Sequence, residues 1–367
     1  MVLNIIIAFF SIIALLIIHE FGHFIMAKRF GIEVKEFGLG FPPRLFGKKI
    51  GGTIYSLNLL PFGAFVKIPS IEGGDEKNNK ENYQKLENIP VWQRALIILA
   101  GVVSFWILGI ILLSIVFSIG TFQSISDEET GPFVNPPKVQ IVAVSPGSPA
   151  EEVGIKIGDT IRELRIADYG LEIDKMKGVQ EFTEKYKGEE IVLTIERGKD
   201  VFEVLLIPRI LPPEGEGAMG VALVRITEKS YPFFQALIKG VETTINLTQV
   251  IVVGLVEVLL SLIQGKGLPP GVQFMGPIGI GSLVAQAVQI GVSYFLNFIA
   301  IISIYLAVFN LLPIPASDGG RLLFLGIEKI KGSPVNQKIE ENITVGFSVL
   351  LITLMIWVTI KDIVRLF

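Results

Sequence analysis

The chain has 367 residues, of which 50% are hydrophobic and 18% charged, with a mean hydropathy of +0.60. That is too apolar for an ordinary water-soluble protein and implies several membrane spans plus some soluble mass. A net charge of −3 with no concentrated basic tract argues against nucleic acid as a partner. Without a single cysteine, disulfides are excluded and any metal site must be built from nitrogen and oxygen ligands.

Val2 to Ala27 is a continuous apolar run, long enough for a bilayer core of about 30 Å at about 1.5 Å per residue. It has neither a basic leader nor a small-residue cleavage site, so it is read as a span and not as a cleavable signal. Within it stands His19-Glu20-Phe21-Gly22-His23. On a helix the two imidazoles are i and i+4, roughly 5–6 Å apart at Cβ, and can share one ion. Glu20 beside them is the candidate general base, a carboxylate able to take a proton from a water acidified by a metal. His19 and His23 are the only histidines in the chain. Ionisable groups within a span are disfavoured by roughly 2.5–3.5 kcal/mol each on insertion scales, so their presence points to function.

The stretch from Lys28 to Arg94 holds eleven Lys/Arg, including Lys77, Lys80 and Lys85, and Ala95 to Gly120 is the second span. Thr121 to Pro137 contains Asp127, Glu128 and Glu129 but no Lys or Arg. By the positive-inside rule, the 28–94 loop is cytoplasmic, and the N-terminus and the segment after Gly120 are outside.

From Lys138 to Ile210 short alternating apolar segments surround a helical insert, the pattern of a small β-rich domain. Its piece Ser145-Pro146-Gly147-Ser148-Pro149-Ala150-Glu151-Glu152-Val153-Gly154-Ile155-Lys156-Ile157-Gly158-Asp159-Thr160-Ile161 resembles a PDZ domain. That resemblance implies a peptide ligand added to a sheet edge. A glycine-rich carboxylate loop is not evident before the first strand, where the chain reads Asn135-Pro136-Pro137. Gly38-Leu39-Gly40-Phe41 spells such a loop but lies far from these strands.

Phe233 to Ile263 is apolar, yet Lys239, Glu242 and Glu257 interrupt it, and Gly265 to Gly271 and Gly276 to Gly281 break up the stretch after it. The later run 294–316 is a span succeeded by a basic segment and must start outside. The 233–290 region therefore either stays outside as membrane-associated helices, the favoured reading, or crosses twice. Residues 343–360 form the last span. The expected fold is an α-helical multi-span membrane protein of about four transmembrane helices. A membrane domain occupies 1–120 and 294–367, a β-rich domain 121–210, and a linker with membrane-associated helices 211–293.

A catalytic metal needs a third protein ligand and an open position. Asp318, just past the cytoplasmic end of the 294–316 span, lies at the right depth on the right side. With the first motif, Asn310-Leu311-Leu312-Pro313-Ile314-Pro315-Ala316-Ser317-Asp318-Gly319-Gly320 resembles the paired signatures of the site-2 protease family of intramembrane zinc metalloproteases. The likeness covers nearly the whole chain and is strongest to the bacterial sigma-factor-regulating branch, with one PDZ domain.

That resemblance implies one Zn2+ per chain held by His19, His23 and Asp318, with Glu20 as base. It also implies that Asn310 contacts substrate, and that a membrane-re-entrant hairpin at about 35–70 pairs through Gly63, Ala64, Phe65 and Val66 with the unwound substrate. The implied substrates are transmembrane proteins in the lipid bilayer, such as an anti-sigma factor, or signal-peptide remnants. The implied location is a cell membrane, with the site toward the cytoplasm and the PDZ-like domain and both termini outside. The chain departs from the family at Gly101-Val102-Val103-Ser104-Phe105, where an Asn-containing run is usual, at Ser317 for Leu, and at Ala64 for Gly. The rival reading is an inactive membrane scaffold that recruits partners through its PDZ-like domain.

Overall fold

The computed structural model describes residues 2–68, 89–130, 133, 135–198, 200–213, 215–269, 272, 275–333 and 335–366. Lys77, Lys80 and Lys85 of the basic loop, the last residues of the expected hairpin, and part of Gly265 to Gly271 lie outside the described residues. The chain divides into two compact units, Met1–Val116 with Phe233–Phe367, and Phe117–Pro232.

The first unit is mostly helical, because in lipid a segment apolar on all sides satisfies its backbone only by coiling on itself. Helix α1 (Val2–Arg29) ends on Lys28 and Arg29, and α2 (Val91–Ile119) packs antiparallel to it: Gly22 lies against Ala100, and His23 bonds Ile97. Two long strands, β1 (Glu36–Ile50) and β2 (Thr53–Lys67), lie between them in sequence. Within this sheet Phe37, Gly38 and Leu39 pair with Tyr55, Ser56 and Leu57 on one side and with Val66, Phe65 and Ala64 on the other. The returning arm at Ala64 to Lys67 is thus an edge strand, and it is largely buried. Leu45, Phe46, Leu57 and Leu59, toward the other end, are exposed. Gly38-Leu39-Gly40-Phe41 belongs to this sheet, where a Cβ on Gly38 would meet the Phe65 ring at 2.3 Å.

The later helices are α5 (Phe233–Ile263), α6 (Pro277–Ile290), α7 (Val292–Leu311), α8 (Asp318–Lys331) and α9 (Gln337–Leu366), after two helices of the second unit. The expected interruption of 233–263 does not occur: α5 is one continuous helix of 31 residues. Its charges sit on the exposed face, where Lys239 and Glu242 bond each other at 2.8 Å. Among the described residues five helices are long and apolar enough to cross a membrane.

Both α5 and α7 run antiparallel to α2. Gly240 faces Ile110 and Ser114 while Thr248 accepts from the Trp106 indole, and Ala300 and Ile304 face Gly109 while Ser303 donates to the Phe105 carbonyl. With α5 and α7 pointing the same way, the 264–291 stretch between them must return. Its helix α6 begins against α9, where the buried Asp362 carboxylate accepts from the Gly276 and Gly279 N–H groups at 2.9 and 2.8 Å.

The second unit is a seven-stranded antiparallel sheet in the order β3-β9-β4-β5-β7-β8, with β6 on β5. The strands are β3 (Thr121–Ile125), β4 (Lys138–Val144), β5 (Thr160–Ile166), β6 (Tyr169–Glu172), β7 (Ile191–Arg197), β8 (Asp200–Leu206) and β9 (Val221–Lys229). Val139 and Ile141, Ile161 and Leu164, and Ile191, Leu193 and Ile195 build its core; the period of two in β4 and β7 is the one by which a strand buries one face. Helix α4 (Met176–Lys185) covers the core with Val179 and Phe182. The short α3 (Pro149–Glu152) is capped by Ser148, whose hydroxyl accepts from the Glu151 N–H. The sheet extends beyond the expected domain limit at 210: β9 lies in the stretch read as linker, yet it sits between β3 and β4.

Candidate metal centre

Asp318 opens α8, and its position is set by close packing. Behind it, a Cβ on Gly319 would lie 2.1 Å from the Leu312 carbonyl oxygen, and one on Gly320 2.1 Å from that of Ile314. Only glycine fits at either place, so the helix start tucks under the Leu311–Pro315 turn. Ser317 secures that turn, its hydroxyl lying 3.0 Å from the Leu312 carbonyl and 2.9 Å from that of Ile314.

On α1, His19 and His23 sit about 15 and 9 Å of helix from the basic end at Arg29. Both are buried, as is Asp318. The His19 Nε2 to His23 Nε2 distance is 3.2 Å, and the Asp318 Oδ2 lies 3.2 Å from the first and 3.3 Å from the second. Among the described residues this is the one group of three or more His, Asp or Glu ligand atoms that converges in this way.

The triangle fits zinc. Two ligand atoms of a tetrahedral ion with bonds of about 2.0–2.1 Å lie about 3.3 Å apart. The Asp318 Oδ2, although buried, makes no hydrogen bond, and neither does the His19 Nδ1. A buried carboxylate oxygen without a donor costs roughly 1–3 kcal/mol or more, and a cation at the triangle removes that cost. A cation at the triangle would hold the Asp318 carboxylate in the ionised form that a ligand must have.

The supporting residues come from α2. The His23 Nδ1 lies 2.8 Å from the Ile97 carbonyl, which can only accept, so Nδ1 carries the proton and Nε2 keeps its lone pair toward the triangle. Phe105 stacks on the His19 ring with 4.8 Å between centroids. A Cβ on Gly101 would sit 2.3 Å from the His23 Nε2, so this glycine floors the site. At the far end of α8, buried Arg94 of α2 is bridged by both oxygens of Glu328, which fixes the helix that carries Asp318. Sequence reading took Gly101 to Phe105 only as a departure from a family pattern and did not single out Ile97 or the Arg94–Glu328 pair. The one available signal was an arginine and a glutamate flanking apolar helices.

Glu20 is outside the converging triangle but within electrostatic reach of His19, His23, Asp318 and Arg321. The Asn310 amide donates to the Leu306 carbonyl of its own helix at 2.9 Å. Gly63 (φ +143°) lies beside Phe41 and Leu16 of α1, and Ala64, Phe65 and Val66 come next on the edge arm of the sheet.

A pair of histidines one turn apart and an aspartate from a distant helix, buried among membrane-length helices with a glutamate beside them, define a metal-dependent hydrolase of the membrane type. The sequence model of peptidase family M50 matches residues 7–354, and the chain belongs to that family, the site-2 proteases. A Clostridium perfringens protein whose name includes the words zinc metalloprotease is 34% identical, covering 98% of each chain. Zinc metalloprotease RasP of Shouchella clausii is 29% identical and the regulator of sigma-W protease RasP of Bacillus subtilis 27%, each alignment covering 100% of both chains. The protein is an intramembrane zinc metalloprotease.

Proposed function

We propose that His19, His23 and Asp318 hold the zinc and that Glu20 is the proton-transferring base in hydrolysis of a peptide bond within or near a membrane span of another protein. The observation that carries this reading is the triangle of ligand atoms with edges of 3.2–3.3 Å. Zinc, when bound, supplies a Lewis acid that polarises the scissile carbonyl and lowers the pKa of a water. Glu20 takes that water's proton and returns it to the departing amine nitrogen. The edge arm Gly63 to Val66 adds the unwound substrate as a further strand, which exposes a carbonyl that a helix would shield. Asn310 completes the substrate site by turning its amide from Leu306 to the bound strand.

The basic loop supports an active site opening to the cytoplasm, with the Phe117–Pro232 domain outside. The antiparallel run of α5 along α2 supports a crossing by α5 and a return through 264–291, which keeps the parity that places both chain ends outside. The exposed apolar side chains of β1 and β2 support insertion of that sheet into lipid. The α3 and Asp159 turn region supports a PDZ-like domain that screens substrates. A relative named regulator of sigma-W protease supports single-span regulatory proteins, such as an anti-sigma factor, or signal-peptide remnants, as substrates. The test is cleavage of a model single-span substrate by the purified protein in lipid nanodiscs, with metal content measured alongside. Cleavage by the wild type and none by a zinc-replete Glu20→Gln variant is expected; equal product from both overturns the assignment.

A further inference from the structure

The two sides of β9 are paired differently. On one, β4 runs beside it from Val221 to Ile226; on the other, β3 covers only Arg225 to Lys229. The covering strand is the direct continuation of α2, one glycine on. Ile125 at its end is buried. Two residues later Asp127 reaches the first turn of α4, where its carboxylate accepts from the Met176 and Lys177 N–H groups at 3.0 and 2.7 Å. Buried Arg225 of β9 donates to the Ser126 and Glu129 carbonyls of the same segment at 2.8 and 3.1 Å, and to the Asp174 carbonyl ahead of α4 at 2.6 Å. A backbone ladder, a buried apolar side chain and a carboxylate on a helix N-terminus are the contacts by which a sheet edge captures an extended peptide.

We propose that the β9 edge with the first turn of α4 is a strand-addition site for extended peptides carrying an apolar residue two positions before a carboxylate, and that Thr121–Asp127 is its built-in occupant. The proposal rests on the PDZ-like reading of this domain. It adds that the site is closed in the resting chain, because an incoming strand and β3 need the same edge. Arg225 selects against partial displacement, since its buried charge loses two carbonyls unless the incoming backbone replaces them.

The test uses the full chain in lipid nanodiscs, with a labelled peptide of residues 120–129 as probe and amide exchange at Arg225–Lys229 as second readout. The pair Gln123→Pro/Ser124→Pro strikes both alternating hydrogen-bonding positions of β3. The wild type is expected to exchange slowly at 225–229 and to ignore the peptide. The proline pair exchanges fast there, binds the peptide and regains protection on binding. A peptide with Asp127→Asn binds about tenfold more weakly, as loss of a charged cap predicts. Unchanged exchange at Ile191–Ile195 shows the core intact; if the prolines disturb it, Ile125→Ala/Asp127→Ala serves with the same readouts. Equal binding by wild type and variant, or unchanged protection at 225–229 in the variant, overturns the closure. An opened edge that binds no peptide overturns the peptide-acceptor reading. Neither result touches the protease assignment, since neither peptide binding nor amide exchange depends on cleavage.

Discussion

At the scale of single residues, Gly101 is the position that confines both imidazoles. A methyl group there would lie 2.3 Å from the His23 Nε2 and 2.8 Å from the His19 Cε1, and on a packed helix pair neither ring can retreat. Gly101→Ala is therefore expected to lose bound zinc, measured by metal analysis, and with it proteolysis, although it removes no ligand. Asp318→Ala removes a proposed ligand, and is expected to lose zinc as completely as His19→Ala; full zinc occupancy in the aspartate variant would remove it from the ligand set. That His19, His23 and Asp318 converge was legible in the sequence, the first two from their i, i+4 spacing and the third from the resemblance of its Asn310–Gly320 run to a family signature. Gly101, Phe105 and the Ile97 carbonyl were not, because their role exists only in the face that α2 turns to α1.

At the scale of elements, α8 is aimed from both ends, by the Gly319–Gly320 start beneath the turn and by Glu328 on Arg94. Glu328→Ala leaves a buried guanidinium without its partner, a loss typically of about 3–5 kcal/mol. It is expected to lower thermal stability, and to weaken zinc retention against a chelator more than a comparable surface substitution such as Glu341→Ala does. The capping of α6 by Asp362 is a second such joint. Asp362→Ala orphans two helix-start N–H groups, at a typical cost of about 0.5–2 kcal/mol, and is expected to speed amide exchange at Gly276 and Gly279 while zinc content holds. These joints escaped sequence reading because each joins residues more than eighty positions apart. The continuity of α5 escaped it for another reason: Lys239, Glu242 and Glu257 were weighed as interruptions, whereas on an exposed helix face charges only a turn apart pair with one another. The pattern that located β4 to β8 stopped short of β9, since a run of intermediate and buried positions in Val221–Lys229 comes after a long proline- and glycine-rich stretch that reads as linker.

At the scale of the molecule, membrane and β-rich portions were separable from composition alone, since the two differ in hydropathy and in period. What composition could not give was which helices touch. Metal removal tests the assembled centre as a whole: a chelator is expected to abolish cleavage by the purified protein and added zinc to restore it, with helix content unchanged by circular dichroism. The three converging side-chain atoms come from the first helix and from one near the chain's end, almost 300 residues apart. At ribosomal speeds of roughly 5–20 residues per second, about 15–60 s separate the synthesis of His23 from that of Asp318. During that interval the half-made chain carries His19 and His23 but lacks the aspartate of the proposed centre. A protease that shares its bilayer with other nascent membrane proteins is thus born inert and becomes competent to cut only after nearly all of its own spans have been made.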